Sequence, residues 1–292
     1  VERETHPAIL AYDSTPMSTQ QSGPETDSAP TRVPSRRRAI YLLPNLFTTG
    51  CLFCGFYAIV AAIDGNFERA GSAVFAAMLF DTLDGRVARL TNTESAFGKE
   101  YDSLADMVAF GLAPAIVSYQ WGVARIAEYG SVWFRFGWVA AFFYAACAAM
   151  RLARFNVRSG SQDKRYFEGL PSPSAAACVS AFIWSFSEWR EPGLPGLILT
   201  FVVTAAAGAL MVSRFSYPSF KGIDLTKPIS FLWLVLIAVV ISAFASDPPR
   251  AFLVCFGTYA LSAPLIWLVR RVRRKHRHDQ RGGGSSDSST AA

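Results

Sequence analysis

The sequence predicts an all-α protein, a polytopic transmembrane helical bundle of about eight spans. Three observations predict it. Hydrophobic residues make up 51% of the 292 residues and charged residues only 17%, whereas a soluble domain carries about a quarter charged residues. The apolar residues gather in runs of the length a helix needs to cross a bilayer, about 20 residues. Lysine and arginine fall overwhelmingly on one side of those runs, as the positive-inside rule requires.

The predicted spans lie near residues 40–63, 70–89, 99–123, 133–155, 171–187, 194–213, 228–246 and 250–270. The first follows the basic run Arg36–Arg38 and stops at Asp64-Gly65. The second and third carry acids within apolar surroundings. The fourth is aromatic and ends on Arg151 and Arg154, and the fifth is short and rich in Ser and Ala. The last three are strongly apolar. Connections such as Asp64–Phe67 and Asp247–Pro249 are short, so neighbouring helices should run antiparallel. Residues 1–34, rich in Ser, Thr, Pro and Glu, read as a disordered tail. Residues 35–275 form the membrane domain, and 276–292 read as a flexible end.

With both termini cytoplasmic, only Arg69, Arg125, Arg135, Arg190 and Arg250 of the 28 Lys and Arg residues fall on the outer side. The basic clusters Arg36–Arg38 and Arg270–Arg277 abut spans, which favours contact with anionic membrane lipids over nucleic acid. All five cysteines (Cys51, Cys54, Cys147, Cys178, Cys255) sit in apolar segments and read as packing residues rather than a disulfide framework. The three histidines, His6, His276 and His278, lie in the polar ends. Chemistry inside the membrane domain must therefore use carboxylates.

Ionisable residues within a span are costly and mark function. Asp81 and Asp84 stand three apart and Asp102 and Asp106 four apart, so each pair shares a helix face. The polar stretch from Leu90 to Phe97 turns the chain, letting the faces meet near the cytoplasmic mouth. Four carboxylates so placed call for divalent cations, and all-oxygen ligands favour Mg²⁺, Mn²⁺ or Ca²⁺ over zinc. Gly85 and Gly98 remove side chains where a ligand or a second helix approaches. Gly85 and Ala88 also make a small-residue packing face. Arg89 is either an interfacial anchor or a phosphate contact.

Asp81-x2-Asp84-Gly85-x2-Ala88-Arg89-x8-Gly98-x3-Asp102-x3-Asp106 resembles, without departure, the signature of the CDP-alcohol phosphotransferase family. The resemblance implies a six-helix family core with additional helices, and four aspartates holding two divalent metals, Mg²⁺ or Mn²⁺. It implies Asp106 as general base as well as ligand. It also implies that Asp84, Gly85, Ala88 and Arg89 line the CDP-lipid site, with Gly98 close by. A homodimer is implied too.

The family's members differ in the acceptor alcohol. Leu43-Pro44-Asn45-Leu46-Phe47-Thr48, Tyr101-Asp102-Ser103-Leu104-Ala105-Asp106, Arg151-Leu152-Ala153-Arg154-Phe155-Asn156 and Phe167-Glu168-Gly169-Leu170-Pro171-Ser172-Pro173 resemble its bacterial serine-transferring branch. That likeness implies CDP-diacylglycerol and L-serine as substrates, phosphatidylserine and CMP as products, and an inner (cytoplasmic) membrane site facing the cytoplasm. Serine carries a carboxylate, so Arg151 and Arg154 are candidate acceptor contacts, against ordinary snorkelling at a span end. Asn156 either bonds substrate or ends its helix, and Asn45 either caps a helix or contacts the CDP-lipid. Phe167–Pro173 reads as a loop over the pocket or a plain re-entry turn. Glycerol 3-phosphate or choline is the alternative acceptor. A cation-coupled transporter is the alternative of another class, and it would spread acids over several helices near the midplane.

Overall fold

The computed structural model describes residues 35–91, 95–123, 131–158, 166–187, 193–218 and 231–282. The predicted tail 1–34 and residues 283–292 lie outside the described residues. The chain is mostly helical. In order come α1 (Ser35–Ile63), α2 (Phe67–Thr91), α3 (Ala96–Asp106), α4 (Ala113–Ser118), α5 (Ser131–Arg158), α6 (Ser172–Ser185), α7 (Gly193–Val212), α8 (Phe231–Ser246) and α9 (Pro248–Gly282). Two π-helical stretches, Met107–Leu112 and Tyr119–Val123, join α3 to α4 and extend α4. Seven of the predicted spans overlap one α-helix each, and the third, near 99–123, is divided among α3, α4 and the two π stretches.

The α1–α2 hairpin is made by local chemistry. Gly65, at φ +75°, ends α1 in a left-handed cap. Its amide donates to the Ala62 carbonyl at 3.1 Å and that of Asn66 to Ala61 at 2.8 Å, the paired bonds of a Schellman motif. The Asn66 side chain then caps α2 by accepting from the Arg69 amide at 3.0 Å. α3 starts the same way, with Ser95 accepting from the Gly98 amide at 2.9 Å.

Small residues set the helix spacings. A Cβ on Gly55 of α1 would stand 2.7 Å from the Ala109 Cα, so α1 lies backbone-to-backbone on the π stretch that follows α3. A Cβ on Gly71 would meet the Trp184 Cβ at 2.8 Å, so α2 lies as close to α6. α6, the Ser/Ala-rich segment, is enclosed by α2, α4, α7 and α9. Nine of its fourteen residues are buried. A buried hydroxyl pair, Ser118 and Thr204 at 2.6 Å, ties α4 to α7.

Among the described residues, four helical stretches are long and apolar enough to cross a membrane: Pro44–Ile63, Gly137–Val157, Gly193–Val212 and Pro248–Val269. α8 is apolar but shorter, and none of its side chains is buried. α2 has the length but carries Asp81, Asp84, Arg86 and Arg89. One feature had no counterpart among the sequence expectations. Tyr166–Glu168 (β1) pairs antiparallel with Ser216–Pro218 (β2), Phe167 opposite Tyr217, in a two-stranded ribbon. The ribbon joins the segment entering α6 to the segment leaving α7, beside the end of α5 that carries the arginines.

Candidate active site

α2 and α3 present their acids to one another. One carboxylate oxygen from each of Asp81, Asp102 and Asp106 lies within 4.8 Å of the other two. Three ionised carboxylates that close repel by about 3 kcal/mol per pair even at an effective dielectric near 20. Oδ1 of Asp106 is buried and has no hydrogen-bond partner among the described residues, an arrangement that costs free energy unless something fills it. An all-oxygen donor set with an orphaned carboxylate oxygen fits a hard divalent cation. These three residues can hold one.

Asp84 is placed differently. It is buried, and its Oδ2 accepts from the Thr48 hydroxyl of α1 at 2.9 Å. It remains within electrostatic reach of Asp81, Asp102 and Asp106. The structure thus groups three of the four aspartates at one point and ties the fourth to the neighbouring helix.

Among the described residues, Gly85 packs against no second helix. A Cβ there would meet only Arg89 Nη2, at 3.7 Å, which removes the packing explanation and leaves bare backbone facing open space. Asp81, Gly85 and Arg89 stand four apart, making one strip along α2 that leads away from the carboxylates. Arg89 is exposed, and its Nε donates to the Gly85 carbonyl at 2.7 Å. Ala88 is half-buried on the same turn. Across the gap, Gly98 lies in the first turn of α3, where a Cβ would crowd the Ser95 cap at 3.1 Å and the Asn45 Oδ1 at 3.5 Å. Thr49 and Tyr101 share a hydrogen bond of 3.0 Å beside them, so the middle of α1 and the middle of α3 close one edge of the site.

The three acceptor candidates on α5 separate. Arg151 Nη1 donates to the Ser172 hydroxyl at 2.7 Å, while its buried Nε has no partner among the described residues. It lies within electrostatic reach of Asp106. Arg154 is ion-paired with Glu168. Asn156 donates to the Ser103 hydroxyl at 2.9 Å, joining α5 to α3 one residue from Asp102. A small cleft of about 40 Å³ opens beside them, lined by Arg151, Arg154, Phe155 and Glu168 with Met150 and Met211.

Sequence reasoning missed the residues that hold these groups. Thr48 fixes Asp84 and Ser172 fixes Arg151; both lie in the stretches quoted above, which was their only signal. Tyr144 of α5 donates to the Phe110 carbonyl at 3.0 Å, inside the π turn that directly follows Asp106. Such turns interrupt the helix register and recur at functional sites.

The sequence model of CDP-alcohol phosphatidyltransferases matches residues 41–241. The chain belongs to the CDP-alcohol phosphatidyltransferase family. The matched region contains all four aspartates and the cleft. Among similar proteins, the CDP-diacylglycerol–serine O-phosphatidyltransferase of Helicobacter pylori is 36% identical over 236 residues, covering 80% of this chain and 94% of its own length. That of Mycobacterium leprae is 30% identical over 274 residues, 85% of this chain and 86% of its own. The enzyme of the same name from Bacillus subtilis is 31% identical over 179 residues, 61% and 91% respectively. As a family member, the chain is a membrane phosphatidyltransferase whose acidic cluster is suited to a metal.

Proposed function

We propose that the chain transfers the phosphatidyl group of CDP-diacylglycerol to the hydroxyl of L-serine, giving phosphatidylserine and CMP. The observation that carries this reading is the convergence of Asp81, Asp102 and Asp106 from two helices, with Arg151 standing between that cluster and an open cleft. The names of the similar proteins support serine as the acceptor.

Asp81, Asp84, Asp102 and Asp106 hold two divalent ions, Mg²⁺ or Mn²⁺. When bound, such ions neutralise charge on the phosphoryl oxygens and on the departing CMP. Asp106 takes the proton of the attacking hydroxyl. The new bond joins the serine oxygen to the lipid-side phosphorus, the bond from that phosphorus to the CMP oxygen breaks, and CMP leaves with the electron pair. Thr48 keeps Asp84 in one rotamer throughout. The bare backbone at Gly85, with Ala88, Arg89, Gly98 and Asn45, receives the cytidine diphosphate, Arg89 contacting phosphate. Arg151 orients the acceptor, and Asn156 steadies α5 against α3 beside Asp102. Arg154 is neutralised by Glu168, which leaves Arg151 as the principal cation for the serine carboxylate.

Eight spans cross the membrane, the continuous run from α3 through α4 and its π stretches counting as one, both termini and the active site face the cytoplasm of a bacterium, and the protein works as a homodimer. The acyl chains then stay in lipid while a water-soluble alcohol enters at headgroup level. Purified protein in mixed micelles, given CDP-diacylglycerol with labelled serine, glycerol 3-phosphate or choline in turn, forms labelled lipid with serine. Product with glycerol 3-phosphate or choline and none with serine overturns the choice of acceptor.

A further inference from the structure

The cleft beside the carboxylate cluster carries both signs of charge. Arg151 and Arg154 line it from one face of α5, three residues apart, and Glu168 lines it from the end of β1. Arg154 and Glu168 meet at its rim with side chains 30% and 46% exposed, whereas Arg151 reaches inward to Ser172 and towards Asp106. Glu168 is held there by backbone. It pairs with Ser216 in the ribbon, and the next residue, Gly169, sits at φ +82° with its amide bonded to the Phe215 carbonyl at 2.8 Å.

A phosphorylated acceptor would need only cations here, and a quaternary amine only an anion or a ring. A molecule carrying carboxylate, ammonium and hydroxyl on neighbouring carbons needs all three kinds of partner within one small cleft. Resting on the serine-transfer reading, we propose that Glu168 is a specificity-determining residue that receives the ammonium of a zwitterionic amino-alcohol acceptor, while Arg151 takes its carboxylate. A carboxylate accepts hydrogen bonds from about four directions, so Glu168 can take an ammonium in addition to the partners it already has. The ion pair then sets where the Glu168 carboxylate stands.

The test compares serine with 3-hydroxypropanoate, which is serine without its ammonium, used as a competitor of the full-length protein in mixed micelles. In Glu168→Gln the KM for serine rises about tenfold, the effect of losing one charge-assisted hydrogen bond at a partly exposed site, and the inhibition constant of 3-hydroxypropanoate does not change. Glu168→Asp keeps the discrimination. Arg154→Gln, which breaks the same ion pair but leaves the anion in place, does not raise the ratio of the two constants. The proposal is overturned if that ratio is unchanged in Glu168→Gln, if turnover and binding of both compounds fall together, or if Arg154→Gln moves the ratio equally. A wild-type protein that makes no phosphatidylserine sinks the serine reading itself. An active wild type whose variants behave in any of the three contrary ways sinks only the role of Glu168.

Discussion

Thr48 reaches two acceptors, the Pro44 carbonyl of its own helix at 3.1 Å and Asp84 of the next at 2.9 Å. From sequence, a hydroxyl in a span is expected to bond back to its own helix, so its cross-helix role was illegible. The aspartates were legible for the opposite reason: charge inside an apolar run has no cheap explanation, and the three- and four-residue spacings fix the shared faces. Arg151 and Arg154 looked equivalent as letters, and only the geometry gives one to Glu168 and the other to Ser172 and the carboxylates. At this scale Asp106 is decisive. Asp106→Asn keeps the shape of the side chain but cannot take a proton, so turnover falls by about 10²-fold or more, in the range typical of general bases. CDP-lipid binding, measured as retention of labelled CDP-diacylglycerol, stays within a few-fold. Unchanged turnover, or loss of the folded protein, contradicts the assignment.

Among the elements, the long apolar helices could be read from composition because crossing a bilayer demands about 20 apolar residues. α6 was harder. Its 14 residues extend only about 21 Å, and its Ser and Ala content lowers its apolarity. Yet those small side chains are what let α2 and its other neighbours close around it. The π turns and the three-residue strands left no trace in the sequence, because neither has a periodicity long enough to detect. From sequence, Phe167–Pro173 reads as a loop over the pocket or a re-entry turn, and it forms a strand end and a glycine turn that dock on the end of α7 and lead into α6. Gly169 is its pivot: a Cβ there would stand 2.3 Å from the Met211 carbonyl. Gly169→Ala should therefore cost about 2 kcal/mol or more, read as a lower unfolding temperature in detergent. It should also raise the KM for serine, since Ser172 and Glu168 flank the turn. An unchanged unfolding temperature would show that the turn relaxes at no cost.

For the whole molecule, the proposed eight crossings would place both ends of the chain in one compartment, as the one-sided distribution of basic residues leads one to expect. α9 supports this at its basic end, where Arg271 sits over the Trp267 ring at 5.1 Å, an anchor suited to a membrane interface. A reporter fused after Ala292 should be active on the cytoplasmic side, and one inserted at Glu128 on the opposite side; the same side for both would require an even number of crossings between them, against the five of this reading. The bundle brings α2 and α3 together so that Asp81, Asp102 and Asp106 meet in one cluster. Whether that cluster works through divalent cations is tested most directly by CMP release. Protein in micelles of CDP-diacylglycerol with L-serine should release CMP and form phosphatidylserine in equal amounts, fall silent on chelation and recover with Mg²⁺ or Mn²⁺. CMP release that persists at full rate under chelator would contradict it.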